Sequence, residues 1–255
     1  MRRKRWAVHV AVVALAALAR PLAAETPYVF QQGGLEGPRR SALEAQTTAG
    51  TRETGPLGQR GVEQSLRLRL RIAEETTVAA FGGALWQPAA PELRPGAIGA
   101  EVVQRVLAQE RAGVDVHLAA GGYRDVTGVF VPRARALAGR SWGRLHTQAS
   151  GLLEVPLAAG RDRADLVLGV AAAWQVTAAT AVGVEALGED IEALWNPAEA
   201  EGGARVLAGP NLAVQFGAVA VRGSVGATAW WPRAGAASAG AQLGALGRVQ
   251  VGWRF

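Results

Sequence analysis

Three arginines recur at every second residue in the segment LRLRLRI, residues 66–72, and their side chains could bind anions. Successive side chains of an extended chain point to opposite faces, so Arg67, Arg69 and Arg71 share one face. Leucine and isoleucine occupy the other face at positions 66, 68, 70 and 72. Guanidinium groups bind carboxylates and phosphates through paired hydrogen bonds. The segment therefore predicts a strand with one basic face and one apolar face.

Other ionisable side chains recur with the same period of two. We expect them to face the same interior as the three arginines: Asp115, His117, Arg144, His146, Glu154, Arg205 and Arg222. Further candidates for this face are Arg133, Arg135, Arg248, Asp165 and Glu185. Two interpretations stay open. The side chains form a basic pore wall that favours anions, or they form an internal salt-bridge lattice that props the interior open or plugs it.

His146 and Ser150 fall on one face of the segment HTQAS and raise the hypothesis of a hydrolase. A serine nucleophile needs a histidine within hydrogen-bond distance. Four residues of a strand span about 13 Å, which is too far for that contact. Ser224 or His117 from other strands could supply a partner. Lipid hydrolysis is therefore the third hypothesis, and the sequence favours a protein that is not an enzyme.

The beginning of the chain has the layout of a secretory signal peptide at residues 1–24: a basic start, an apolar run and small residues before the predicted cleavage site. This segment holds five of the 27 basic residues and none of the 21 acidic ones, so the rest is nearly neutral. The charge therefore gives no argument for nucleic acid binding. Cysteine is absent, and neither a zinc ligand set nor a phosphate-binding loop occurs, so we expect no metal and no cofactor.

Strands are the elements that must position these residues, because period-two alternation recurs along the chain. We predict twelve, at 42–49, 61–72, 76–86, 97–108, 112–123, 127–138, 144–155, 164–175, 177–186, 204–216, 218–230 and 245–255. The third, fourth and sixth alternate poorly, and we expect a bulge in each. Short turns mostly alternate with long loops such as 87–96 and 187–203, so the long loops would emerge at one end. Bacterial outer-membrane barrels have this asymmetry.

An α-helical alternative exists at residues 166–184, which carry no charge and are long enough to cross a membrane. Valine, tryptophan and threonine in this run suit strands, and a hairpin turning near Gln175 keeps the strand count at twelve.

Aromatic residues collect near the predicted strand ends, as expected where a membrane meets water. At the long-loop end these are Trp86, Tyr123, Trp230 and Trp231; at the short-turn end they are Trp142, Trp174, Phe216, Trp253 and Phe255.

The last strand, RVQVGWRF, places Val249, Val251, Trp253 and Phe255 on one face. In this ending, and in the strand pattern along residues 42–255, the chain resembles the bacterial outer-membrane β-barrel proteins. The resemblance implies an all-β fold, an antiparallel up-and-down transmembrane barrel of about 12 strands. It also implies that the barrel-assembly machinery recognises the final strand. Closing the first strand onto the last would satisfy every edge hydrogen-bonding group.

The resulting expectation is one barrel domain at 42–255 in the bacterial outer membrane, preceded by the signal peptide and a periplasmic lead-in at 25–41. Its partners would be outer-membrane lipid and small solutes. The first functional hypothesis is a passive channel for small polar or anionic solutes. The second is a structural or binding barrel with a plugged lumen, and the third is the lipid-modifying enzyme considered above.

Overall fold

The computed structural model of the chain describes residues 41–50, 61–88, 90–125, 127–158, 164–189, 204–231 and 242–255. Within these ranges the chain forms twelve strands and one short helix. The strands are β1 Ala42–Gly50, β2 Gly61–Ala73, β3 Thr76–Gln87, β4 Ala90–Leu107, β5 Asp115–Arg124, β6 Phe130–Trp142, β7 Leu145–Glu154, β8 Asp165–Thr177, β9 Thr180–Glu189, β10 Ala204–Phe216, β11 Val219–Trp231 and β12 Gln242–Arg254; the helix is α1 Gln109–Ala112. The predicted signal peptide, residues 25–40 of the predicted lead-in and residues 190–203 of the predicted long loop lie outside the described residues.

Each strand pairs antiparallel with its neighbours in the chain, and β12 pairs with β1, so the sheet closes into a barrel. The closing ladder runs from Ala42 opposite Arg254 to Gly50 opposite Leu246. Closure leaves no strand edge with unpaired backbone groups. The prediction of an all-β, up-and-down antiparallel barrel with about twelve strands is confirmed.

The two ends of the barrel differ in their connections. At one end, which we call the short-turn end, two-residue turns join β2 to β3, β6 to β7, β8 to β9 and β10 to β11, and α1 lies between β4 and β5. The opposite end, the long-loop end, holds the connections after β1, β3, β5, β7, β9 and β11. Among the described residues, no helix is long and apolar enough to cross a membrane.

Side chains alternate between the two faces of the closed sheet. On β2, Leu66 is 59% exposed and Leu70 is 42% exposed, whereas the side chains of Arg67 and Arg69 are only 11% exposed. On β12, Val249 and Trp253 are exposed and Arg248 is buried. The outer surface is therefore apolar, while the interior is rich in polar and charged groups.

Part of the interior is apolar. Leu187, Leu207 and Leu246 are buried against one another, with Val167 packed beside them. These residues lie near the long-loop end on strands β8, β9, β10 and β12. This cluster fills one side of the interior at that end.

Two local expectations were wrong. The stretch 87–96 is not a long loop, because β4 begins at Ala90 and pairs with β3 through register shifts at Gly82/Ala84 and Leu85/Gln87. Such shifts accommodate prolines, which lack the backbone donor of a regular ladder. Strand β6 shows no register shift on either side, so its predicted bulge is absent. The hairpin expected at residues 166–184 is confirmed as β8–β9, with its turn at 178–179 instead of near Gln175, and the helical alternative is not observed.

Candidate functional site: the charged interior of the barrel

The densest charge cluster in the described interior is centred on Glu101 of β4, whose side chain is only 2% exposed. Arg133 of β6 donates to Oε2 of Glu101 at 2.7 Å. Arg135 donates to Oε1 at 2.8 Å, and Arg67 of β2 donates to the same atom at 3.2 Å. A carboxylate held by three guanidinium groups is a strong, charge-assisted arrangement. We call Arg67, Glu101, Arg133 and Arg135 the Glu101 cluster.

Two aromatic rings complete the surroundings of this cluster. The Arg133 guanidinium carbon lies 4.6 Å from the ring centroid of Phe81 and 5.6 Å from that of Tyr123. Arg67 lies 5.2 Å from the Phe81 centroid. Cations are attracted to the faces of such rings. The rings and Glu101 together fix the position of the Arg133 side chain.

A missing side chain on β5 makes room for Glu101. Gly121 lies directly opposite Glu101 in the β4–β5 ladder. A Cβ atom at Gly121 would lie 2.2 Å from the Ala100 carbonyl oxygen and 2.7 Å from Cα of Glu101. The close approach of the two backbones therefore requires glycine at this position.

Polar contacts continue along neighbouring strands. Arg69 of β2 donates to Oε1 of Glu44 on β1 at 2.9 Å. Across the β1–β12 closure, Arg248 donates to Thr48 at 3.1 Å. On β11, Arg222 donates to Gln250 at 3.4 Å.

A second charge cluster lies at the short-turn end. Arg105 of β4 donates through Nε to Asp115 at 2.9 Å and also contacts this carboxylate through Nη2. Glu110 of α1 lies 3.3 Å from the same guanidinium, and Glu75 lies 3.8 Å away. Arg105 therefore ties the β2–β3 turn and α1 to the beginning of β5.

His117 and His146 occupy different environments. His117 is 2% exposed. Nδ1 of His146 lies 2.7 Å from Oγ of Ser141 on β6, and its Nε2 lies 3.5 Å from Oε1 of Gln175 on β8. His146 therefore contacts Ser141, which is directly opposite it on the neighbouring strand. The sequence alone did not identify this serine as a partner.

The remaining predicted interior residues are placed as follows. Glu154 accepts a hydrogen bond from the Tyr123 hydroxyl at 3.1 Å. Arg205 lies 3.8 Å from Glu189. Arg71 is exposed near the end of β2, and its Nε donates to the carbonyl of Ala73. Arg144 is also exposed and lies in the β6–β7 turn, so its predicted place inside the barrel is wrong, because β7 begins one residue later.

The aromatic residues divide between the two faces. Trp86, Trp174 and Trp231 are outward and exposed, as are Val249, Val251, Trp253 and Phe255 near the end of the chain. Tyr123 and Trp230 do not belong to an outer girdle. Tyr123 contacts Glu154 and Arg133 inside the barrel, and Trp230 shares the face of the buried Arg222 and Thr228. Each residue lies near the end of its strand at an inward-facing position, and the adjacent residue in the chain faces outward.

The sequence did not identify Glu101 as an interior acid. The residues at the same face on either side of it are Gly99 and Val103, so polar and apolar residues do not alternate there. In the described residues, no group of three or more histidine, aspartate or glutamate side chains is arranged to hold a metal ion.

Comparisons with known proteins identify the architecture. No protein-family model matches the chain, and no curated protein matches it by sequence. Among solved structures, it is similar to the KdgM porin in complex with disordered oligogalacturonate. The TM-score is 0.56 at 10% identity, over 84% of this chain and 99% of that one. It is also similar to the NanC porin, with a TM-score of 0.54 at 6% identity, over 84% of this chain and all of that one. This chain therefore has the closed β-barrel fold of these bacterial outer-membrane porins.

Proposed function

We propose that this protein is a bacterial outer-membrane β-barrel that passes small polar solutes and prefers anions. The observation that carries the proposal is the division of its surfaces: apolar side chains cover the outside of a closed sheet, and arginines of several strands converge inside it. A lipid environment accepts the first surface, since every backbone group of a closed barrel is paired. A basic interior favours negatively charged solutes.

The preference for anions rests on the side chains of this chain. Arg67, Arg133 and Arg135 surround one carboxylate, Glu101. The KdgM porin was solved with an acidic oligosaccharide, but at 10% identity the likeness concerns the fold.

The test is reconstitution of the purified full chain in planar bilayers under a KCl gradient. We expect discrete conductance steps. The reversal potential should lie closer to the equilibrium potential of chloride than to that of potassium. Arg135→Gln should move the reversal potential toward potassium, while Arg111→Gln, in the exposed helix α1, should leave it unchanged. Steps that favour potassium in the unmodified protein would contradict the anion preference.

A second candidate function is a barrel whose interior is held closed, as a structural or binding protein. It is favoured by the burial of Glu101 and of the side chains around it. In that case the properly inserted protein would give no current, and Glu101→Gln would destabilise it without creating a selective conductance. Liposome swelling with small sugars gives an independent measurement of permeation.

We further propose that the protein is not an enzyme, although Ser141 and His146 are in contact. In chymotrypsin-type sites the backbone N–H of the nucleophilic serine itself helps to stabilise the oxyanion. Here the Ser141 N–H donates to Gln109 Oε1 at 2.8 Å, and Gln109 Nε2 donates back to the Ser141 carbonyl at 2.9 Å. Gln109 thus takes the place of a strand partner at the end of β6. A fluorophosphonate probe should not label Ser141; labelling that His146→Asn abolishes would contradict this.

A further inference from the structure

Arg140 is a basic residue on the outward, apolar face of β6. The preceding outward positions of this strand hold Ala134, Ala136 and Ala138, and Arg140 continues the series with an exposed side chain. It lies two residues before the end of the strand, which is about 7 Å along an extended chain. An outward arginine is costly at the middle of a bilayer and nearly free of cost at its interface. Its position therefore matches the level of the lipid headgroups.

An aromatic ring orients this arginine. Trp142, the last residue of β6, is 49% exposed on the same face, and the Arg140 guanidinium carbon lies 5.0 Å from the Trp142 ring centroid. Tryptophan is enriched at the headgroup level of membranes. Within the described part of the chain, no carboxylate forms a salt bridge with Arg140. One face of the guanidinium thus rests on a ring, and none of the described acids neutralises its charge.

Two further arginines lie in the same sector of the short-turn end. Arg144 is exposed in the turn that follows Trp142, and Arg111 is exposed on α1. The hydrogen bonds between Gln109 and the Ser141 backbone hold α1 beside the end of β6. Glu110, the acid on this helix, is directed to Arg105. Opposite Arg140 in the ladder, the Thr147 hydroxyl donates to the Arg140 carbonyl oxygen at 3.4 Å.

We propose that Arg140, supported by Trp142 and Arg144, binds the phosphate of an anionic phospholipid in the leaflet at the short-turn end. The site rests on the proposed membrane location and names a specific lipid partner for one sector of the barrel. The guanidinium supplies charge-assisted hydrogen bonds to phosphate oxygens. The outward alanines of β6 leave a shallow, apolar surface against which an acyl chain can lie.

Native mass spectrometry of the purified full chain, titrated with phosphatidylglycerol or phosphatidylcholine, tests the site. We expect the unmodified protein to retain phosphatidylglycerol preferentially, and Arg140→Gln to weaken this binding about fivefold, as for one basic residue at an anionic surface. Arg124→Gln is the matched control. Arg124 ends β5, the neighbouring strand, at the opposite end of the barrel, and it donates to the Gly128 carbonyl at 3.2 Å.

A second measurement uses the heat needed to unfold the barrel, seen as a shift in gel mobility. Phosphatidylglycerol vesicles should raise this temperature relative to phosphatidylcholine vesicles, and Arg140→Gln should reduce the difference. Equal lipid preference in Arg140→Gln and the unmodified protein would overturn the site. Equal protection by inorganic phosphate would assign it to free anions and would also overturn the lipid proposal. A barrel that does not insert into vesicles would instead contradict the proposed membrane location.

Discussion

Arg133 of β6 donates a 2.7 Å hydrogen bond to Glu101 of β4, so two strands that are not neighbours in the sheet are joined through the interior of the barrel. Arg67 of β2 reaches the same carboxylate from the other side. The Glu101 cluster therefore links three strands by contacts that the backbone ladder does not provide. Its removal should affect both the stability of the barrel and the electrostatics of its interior.

Glu101→Gln should lower the unfolding free energy by about 3 kcal/mol, because it leaves buried guanidinium groups without their shared carboxylate. The same change should move the reversal potential further toward chloride. Heat-induced mobility shifts and bilayer recordings measure the two effects. Glu110→Gln is the control, since this acid is 66% exposed and its salt bridge to Arg105 should contribute at most about 1 kcal/mol. An unchanged melting temperature for Glu101→Gln would remove the stabilising role of the cluster.

Gly121→Ala should destabilise the barrel by about 1–3 kcal/mol, because the new methyl group would overlap the β4 backbone. Gly223→Ala is the matched control, because a Cβ there would lie 3.8 Å from the Arg248 carbonyl oxygen, which is an ordinary van der Waals contact. Urea titration in the same detergent compares the two variants. Equal midpoints would mean that β4 and β5 separate easily at this point.

Leu68→Arg should reduce insertion, since Leu68 is an outward residue in the middle of β2 and an arginine facing lipid costs about 2–4 kcal/mol at mid-membrane. Leu157→Arg places the same substitution at an exposed position after the end of β7. The fraction of heat-modifiable protein in the membrane pellet measures insertion. Similar yields for both variants would contradict a lipid-facing β2.

Phe255→Ala should lower the yield of assembled barrel several-fold in cells, if the assembly machinery reads the final strand as the resemblance implies. Phe216→Ala serves as its control, because Phe216 is 54% exposed and Phe255 is 56% exposed at the same end of the barrel. Pulse–chase assays of folded protein compare the two. Equal losses would mean that Phe255 contributes only as an exposed aromatic ring and has no special role in assembly.

Twelve strands could be predicted because most of them bury one face and expose the other, which imposes a period of two. The prediction failed where that period is interrupted. β4 continues through Pro91 and Pro95 because register shifts relieve the ladder, and sequence alone does not show where a partner strand will shift. Glu101 was missed for a related reason, since its neighbours on the inner face are small or apolar. Tyr123 and Trp230 were assigned to the wrong face because side chains alternate along a strand, so an error of one residue reverses the face.

The sequence predicted which types of charged residue face the interior, but not which of them form pairs. Sequence placed arginines and acids on common faces, but the pairing of Glu101 with both β2 and β6 depends on how the closed sheet brings distant strands together. The same holds for His146, whose partner is the directly opposed Ser141 and not Ser150 of its own strand.

The β1–β12 ladder also has a kinetic consequence. Every other ladder joins strands that are consecutive in the chain, so those hairpins close over short stretches. The β1–β12 pairing instead joins residues about two hundred positions apart, as in the contact between Thr48 and Arg248. Loop-closure entropy makes such a contact late and slow relative to hairpins. We therefore expect an open curved sheet with two exposed edges to precede the closure. The lifetime of this open sheet sets the period in which another chain could pair with it.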